Sequence, residues 1–326
     1  MTNTDQMEME SPPQARLLSS EEHRALRKSG PLKYVYLGFF PILWSVGAVV
    51  NVDALSRAEP WARYSQLGLG TLLLALSLNA FFLVLHEGCH HVLSANRFVN
   101  RWGSMLYCLP LFMSFNAYRT IHLNHHEHLG GEGDPDNYDN FSGNPRTVLL
   151  LQLARLACGA ILYLFAIPWL SWKLQTRGQR REMIEEYAVI LLAFGALAWA
   201  LPFDVLLAVI LLPMLPANFL INVRGLTQHT VTESRDPFMA SRSVRCHPVI
   251  TFLYMNENYH LEHHLFPSVP CDRLGELKRI LERRWPRALV APSYTWFLAR
   301  FFSAVARMDP ATIGRIERAE KPWPAK

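Results

Sequence analysis

Residues 67–85 form a run of 19 without a charge, and the next residue, His86, opens a cluster of histidines. As a helix such a run is long enough to cross a hydrocarbon core of about 30 Å. Inside that core the backbone has no water to bond with, so a helix is the form open to it. A second apolar run occupies residues 34–51. A third, 187–221, is too long for one crossing and is broken at Pro202, Phe203 and Asp204, so it reads as a helical hairpin. Hydrophobic residues make up 50% of the chain. Their gathering into blocks favours an all-α integral membrane protein over a soluble bundle of buried helices.

Nine of the 13 histidines fall in three clusters: H-E-G-C-H-H with His86, His90 and His91, H-L-N-H-H with His122, His125 and His126, and H-L-E-H-H with His260, His263 and His264. Helix positions i, i+3 and i+4 point in directions of about 0°, 300° and 40°, which is one face. The second and third clusters therefore each present three imidazoles together. In the first, His90 stands about 40° from His86 but His91 about 140°, which sets His91 apart. Imidazole suits zinc, copper, iron and nickel alike. A structural zinc is satisfied by four ligands, usually including thiolates, and none of the five cysteines has a C-x-x-C partner. The cysteines predict no disulfide framework. Eight or nine histidines are enough for two ions with positions left open.

For these ligands to meet, the three clusters must share one side of the membrane. The first 30 residues show no apolar leader, so the amino terminus is expected in the cytoplasm, with a short capped helix starting near Ser20, Glu21 and Glu22. Two crossings return the chain at His86. The stretch 105–115, which contains Pro110, is too short to cross and is expected at the interface. An even number of crossings must then separate residues 143 and 224. Residues 147–170 carry Gln152 and Arg155 and precede Lys173, Arg177, Arg180 and Arg181, a basic group expected in the cytoplasm. This segment reads as interfacial, which leaves the 187–221 hairpin to cross. The expectation is four transmembrane helices in two hairpins, with stretches 86–146 and 222–326 folded into a cytoplasmic helical cap. In that cap Leu274, Leu277 and Leu281 line one face of an amphipathic helix. The domain bounds expected are a polar segment at 1–30, a membrane catalytic domain at 31–310 and a tail at 311–326. A net charge of +5 suits a cytoplasmic surface against anionic lipid, and no basic patch interleaved with aromatics points to nucleic acid.

The three clusters, in this order, resemble the histidine boxes of the membrane fatty acid desaturases and hydroxylases, over residues 30–305. N-R-W from Asn100, H-L-G-G-E-G-D-P-D from His128 and N-E-N-Y-H-L-E-H-H-L-F-P-S-V-P from Asn256 are similar to the branch that holds sphingolipid desaturases. Related motifs occur in carotenoid ketolases and in bacterial desaturases of small amino acid derivatives. The resemblance implies a di-iron centre ligated by His86, His90, His122, His125, His126, His260, His263 and His264. His91 and His229, the latter in R-G-L-T-Q-H, are further ligand candidates, and Asn256, a turn before His260, is a candidate to hold a metal-bound water. The implied chemistry takes molecular oxygen as co-substrate and abstracts hydrogen from a methylene of a lipid or other aliphatic chain. Loss of a second hydrogen gives an alkene and hydroxyl transfer gives an alcohol. The H-P-G-G signature of a fused cytochrome b5 is missing, so the family implies an external electron donor, a ferredoxin or cytochrome b5 with its reductase. Arg279, Arg283 and Arg284 are candidate contacts for it. The implied location is a bacterial inner membrane.

Around the ligands, Glu87, Asp134, Asp136 and Glu262 are candidates to accept from free ring nitrogens and so orient the imidazoles. Asp134 and Asp136 equally suit a turn around Pro135. His23, His128 and His247 read as surface or loop residues. Phe112, Phe115 and Tyr118 either line a substrate tunnel or simply pack. Desaturation is the leading expectation. The alternatives are a hydroxylase or ketolase, including carotenoid oxygenation, and a desaturase of a small amino acid derivative such as dihydrorhizobitoxine. A histidine-rich membrane metal transporter would hold its ligands at the midplane of its spans, whereas these flank the spans.

Overall fold

The computed structural model describes residues 17–230, 238, 240–285 and 290–308. The expected tail and the first 16 residues of the polar segment lie outside the described residues. Helix α1 (Ser20–Leu26) is capped by Ser19, one residue before the expected Ser20, because Ser19 is extended and exchanges hydrogen bonds with Glu22.

The hairpin of α2 (Leu32–Leu55) and α3 (Pro60–Cys89) contains both uncharged runs. The two helices approach closely at Gly47 and Gly70, where a Cβ on Gly70 would collide with Asn51 Oδ1. Buried Asn51 donates to Thr71 Oγ1 (3.2 Å) and to the backbone oxygen of Ala208 (2.6 Å). Small residues at a crossing and a polar side chain bonded between helices are what association needs where water is absent. From Ser77 to Cys89 every residue of α3 is buried, so this is the central helix.

The stretch 105–115 folds as the end of α4 (Arg97–Cys108) and a short turn. Asn100 of the N-R-W motif donates to the Gly88 oxygen (2.8 Å), and a Cβ on Gly88 would collide with Ser104 Oγ. The end of the first histidine cluster is thereby clamped to α4. Next come α5 (Phe115–His128) and α6 (Pro145–Leu174). Then α7 (Arg177–Ala200) turns at Leu201 and Pro202, where the break was expected, into α8 (Phe203–Leu206), a π segment (Leu207–Leu211) and α9 (Leu212–His229).

Five helices are long and apolar enough to cross a membrane: α2, α3, α6, α7 and the continuous Phe203–His229. The fifth, against an expectation of four, is α6. At Cys158 its backbone leaves the helical region (φ −138°). Asn218 of α9 makes good the lost bonds, donating to the Leu156 oxygen (2.9 Å) and accepting from the Ala160 amide (2.5 Å). Its C-cap residue Gln175 returns to the start of α5, donating to the Asn116 oxygen (3.1 Å) and Thr120 Oγ1 (3.0 Å).

The remaining elements are α10 (Pro248–Leu253), α11 (His260–Leu265), α12 (Leu274–Arg284) and α13 (Tyr294–Arg307). A parallel pair, β1 (Ser243–Val244) and β2 (Val290–Ala291), joins the segment before α10 to that before α13. In α12 the three leucines expected on one face are the buried ones.

Candidate metal centre

Histidines reach one place from four helices. His86 lies in the last turn of α3 and His90 caps it, His122, His125 and His126 lie along α5, His229 ends α9, and His260, His263 and His264 make up half of α11. The carboxyl ends of α3, α5 and α9 all point here, and their partial negative charge favours a cation. The segment before α11 is held by two successive left-handed residues, Met255 (φ 48°) and Asn256 (φ 61°). Asparagine tolerates that conformation and methionine does so at a cost in strain.

The ring nitrogens sort into two groups. His86, His90, His122, His126 and His263 can place one nitrogen each within 4.8 Å of one another, as can His125, His229 and His264. His260 joins the second, with Nε2 at 2.7 Å from His229 Nε2 and 3.1 Å from His264 Nε2. In the first group His122 Nε2 faces both His90 Nε2 (2.7 Å) and His126 Nε2 (3.1 Å), and His126 Nε2 also faces His263 Nε2 (3.2 Å). One Nε2 carries either a proton or a lone pair, so it cannot satisfy two such neighbours as an ordinary donor or acceptor. A cation receiving every lone pair satisfies them all. At metal–nitrogen distances of about 2.1 Å, adjacent ligands stand roughly 3 Å apart, the spacing found here. The residues therefore fit two metal ions.

Protonation agrees. Burial pushes His90 down to about 3 and holds His122, His126, His260, His263 and His264 well below the ordinary imidazole value. Burial thus favours their neutral forms, which offer a lone pair. For His125 burial also acts downward, but the hydrogen bond and charge of Asp134, aided by Asp136, carry it above that value.

His125 Nδ1 donates to Asp134 Oδ1 (2.7 Å), which fixes the tautomer and aims Nε2 at the centre. Asp134 also accepts from the Gly130 and Asp136 amides (2.9 and 2.8 Å), so orienting a histidine and closing the turn are one arrangement. Sequence reasoning missed Glu257. It is fully buried, accepts from His260 Nδ1 (3.3 Å) and stands 3.5 Å from His86 Nδ1. Burial pushes it up to about 8, with Arg224 acting against the shift. Its position three residues before His260 was the available signal.

Several other candidates have other partners. α3 ends at Cys89 and His91 turns left-handed (φ 58°), so its ring is exposed and sits on Arg119 (3.2 Å). The turn at Asn256 sends its amide nitrogen to the Tyr36 hydroxyl (3.1 Å). Glu87 accepts from the Cys271 amide (3.0 Å) yet keeps a carboxylate oxygen within 4.8 Å of His86 and Glu257, Glu262 accepts from Ser243 Oγ, and Asp136, on the wall of the histidine cavity, pairs with Arg155 at 3.6 Å. His23 bonds Ser268 (3.0 Å), His128 stays on its own helix and His247 caps α10. All five cysteines are free.

A cavity of about 660 Å³ opens on both groups of histidines. Phe82, Tyr163 and Ile221 line this cavity and also a neighbouring, mostly apolar pocket between α3, α6 and α9. Tyr118 lines the first cavity, stacked against His122 and edge-on to Phe82. Phe112 instead stacks on Phe194 (3.8 Å) and Phe115 is buried in the core.

The fatty acid desaturase profile matches residues 63–296. The sphingolipid delta(4)-desaturase/C4-monooxygenase DES2 of Mus musculus is 26% identical over 206 residues, 61% of this chain and 60% of that protein. The sphingolipid delta(4)-desaturase DES1 of Homo sapiens is 22% identical over 310 residues, 92% of this chain and 88% of that protein. The chloroplastic omega-6 fatty acid desaturase of Glycine max is 22% identical over 260 residues, 71% and 60% respectively. The chain thus spans about 60% of the length of the mouse relative.

Proposed function

The chain belongs to the fatty acid desaturase family, and from that premise we propose that it is an oxygen-dependent di-iron desaturase that introduces a C=C bond into a lipid acyl or related aliphatic chain. The observation that carries this reading is the convergence of nine histidines in two groups beside a cavity that shares its wall with an apolar pocket. In it, His86, His90, His122, His126 and His263 hold one iron, and His125, His229, His260 and His264 the other. The irons supply the power to activate molecular oxygen with electrons from an external ferredoxin or cytochrome b5 and its reductase. Asp134 and Glu257 hold the Nδ1 protons of His125 and His260, so that the opposite nitrogens stay available. Phe82, Tyr118 and Ile221 exclude water and fix the substrate chain beside the centre. For the electron donor, Arg279 and Arg283 are exposed, while Arg284 is taken up by Glu22 (2.6 and 2.9 Å).

In the membrane, α2, α3, α7 and the α8 to α9 unit make the four crossings. Arg155, in the first half of α6, pairs with Asp136 after α5, and the C-cap residue Gln175 bonds Asn116 of α5, which supports α6 lying along the layer of the metal centre. Lys173 and Arg180 sit over Trp169 and Trp172 (3.7 and 4.9 Å), a basic and aromatic pairing suited to a cytoplasmic interface.

Protein purified in mild detergent should contain about two iron atoms per chain. Given reductant, labelled oxygen and candidate chains, it should form an alkene and send the label to water. A labelled hydroxyl or keto product without any alkene would replace desaturation by the monooxygenation named for the mouse relative. Full activity with zinc and no iron would overturn the di-iron reading.

A further inference from the structure

A cavity serving only hydrocarbon needs no charge, yet this one has two arginines in its wall. Arg155 is well partnered: Nε donates to Asn222 Oδ1 (3.0 Å), Asp136 stands 3.6 Å away, and Tyr138 and Tyr163 present their rings. Arg224 is not. Its side chain is 5% exposed and its guanidinium faces the Phe82 ring at 5.7 Å. NH1 makes one long bond to Gln228 (3.3 Å) and forms a loose ion pair with buried Glu257 at 3.9 Å, too far for a hydrogen bond, while Nε is buried with no hydrogen-bond partner among the described residues. Glu257 itself is turned to His260 and His86. A guanidinium offers five donors in a rigid fork and cannot shed its charge. Placed on a helix that crosses the membrane and lining a cavity, with its donors largely unused, it marks a ligand-binding function.

We propose that Arg224 binds a carboxylate of the substrate, which makes that substrate an aliphatic acid oxidised within a few bonds of its carboxylate. This rests on the desaturase reading above. A carboxylate matches the fork in shape and charge, accepting two parallel N–H bonds. Arg224 shares the cavity wall with His86 and His260, so a carboxylate held there keeps the first few carbons beside the metal centre. For the rest of the chain, Phe82 and Ile221 also line the neighbouring apolar pocket with Leu78, Met113 and Met214. An acyl chain oxidised far from its head would leave Arg224 facing methylenes.

The test uses the iron-loaded protein in lipid nanodiscs and calorimetric titration with hexanoate and its neutral isostere hexanamide. Hexanoate should bind at least about tenfold more tightly to the wild type, and Arg224→Gln should bring the two within about twofold. Arg224→Lys, which keeps the charge and loses the fork, should retain an intermediate preference. Equal binding of the two compounds to the wild type, or an undiminished preference in Arg224→Gln, would overturn the proposal. The first comparison needs no variant, so a misfolded substitution leaves the proposal exposed to refutation. Norleucine separates the two sources of such a carboxylate: tighter binding than hexanoate assigns an amino acid, and weaker binding a plain acid, both through Arg224. Product analysis keeps the two readings apart. Alkene formation without a carboxylate preference would sink this inference alone, whereas carboxylate-selective binding with no oxidised product would sink the desaturase reading.

Discussion

His263 and His91 show how much a ligand depends on where its helix ends. His263 is fully buried and its Nε2 lies 3.2 Å from that of His126, while His91 has left the helix and meets Arg119. His263→Ala should therefore lose about one metal ion per chain and at least 100-fold in turnover, whereas His91→Ala should keep both near wild type. Metal analysis beside product formation checks this, and equal metal loss in the two variants would refute the placement of His91. Asp134→Asn keeps the turn's shape but weakens the acceptor for His125, so metal affinity should fall about 10- to 100-fold while the helical content is unchanged. The candidate ligand histidines were legible from spacing and resemblance. For Glu257 the sequence offered only its place three residues before His260; its contact with His86 joins α3 to the turn before α11, and no local pattern expresses that.

At the scale of elements, α5 is held in place by a residue of α7. Glu186 is fully buried and accepts from Arg101 Nε (2.7 Å), Ser114 Oγ (2.6 Å) and the Asn116 amide (2.8 Å). It thereby ties α4 and the amino end of α5, with the second histidine cluster, to the start of α7. Removing one partner of such a buried pair costs about 3 to 5 kcal/mol. Glu186→Ala should lower the thermal unfolding midpoint by several degrees and loosen metal binding with it, and an unchanged midpoint would show that the network adds nothing to stability. The apolar runs located α2, α3 and the α7 to α9 hairpin, because burial in lipid demands long uncharged helices. Helix α6 is as apolar as these, and composition alone does not say whether such a helix crosses.

For the whole molecule the test is parity. With four crossings, single cysteines replacing Arg177 and Arg273 should react from the cytoplasmic side and one replacing Ser56 from the opposite side. Labelling of position 177 from the outside would make α6 a crossing helix and would separate the third histidine cluster from the other two, against their convergence.

By itself the sequence determined the class of fold and the identity of most candidate ligands, since both rest on short-range periodicity: uncharged runs long enough to span lipid, and histidines at i, i+3 and i+4 on one helical face. Tertiary structure alone decided the division of nine imidazoles between two groups, the placing of His91 against Arg119 and of Asn256 against Tyr36, the position of Glu257 beside His86 and His260 and the exposure of Arg224 to the cavity. Those outcomes depend on where helices end and which turns take left-handed backbone. They depend also on which buried polar atoms find partners across elements far apart in the chain, and side-chain spacing along one helix does not encode any of these.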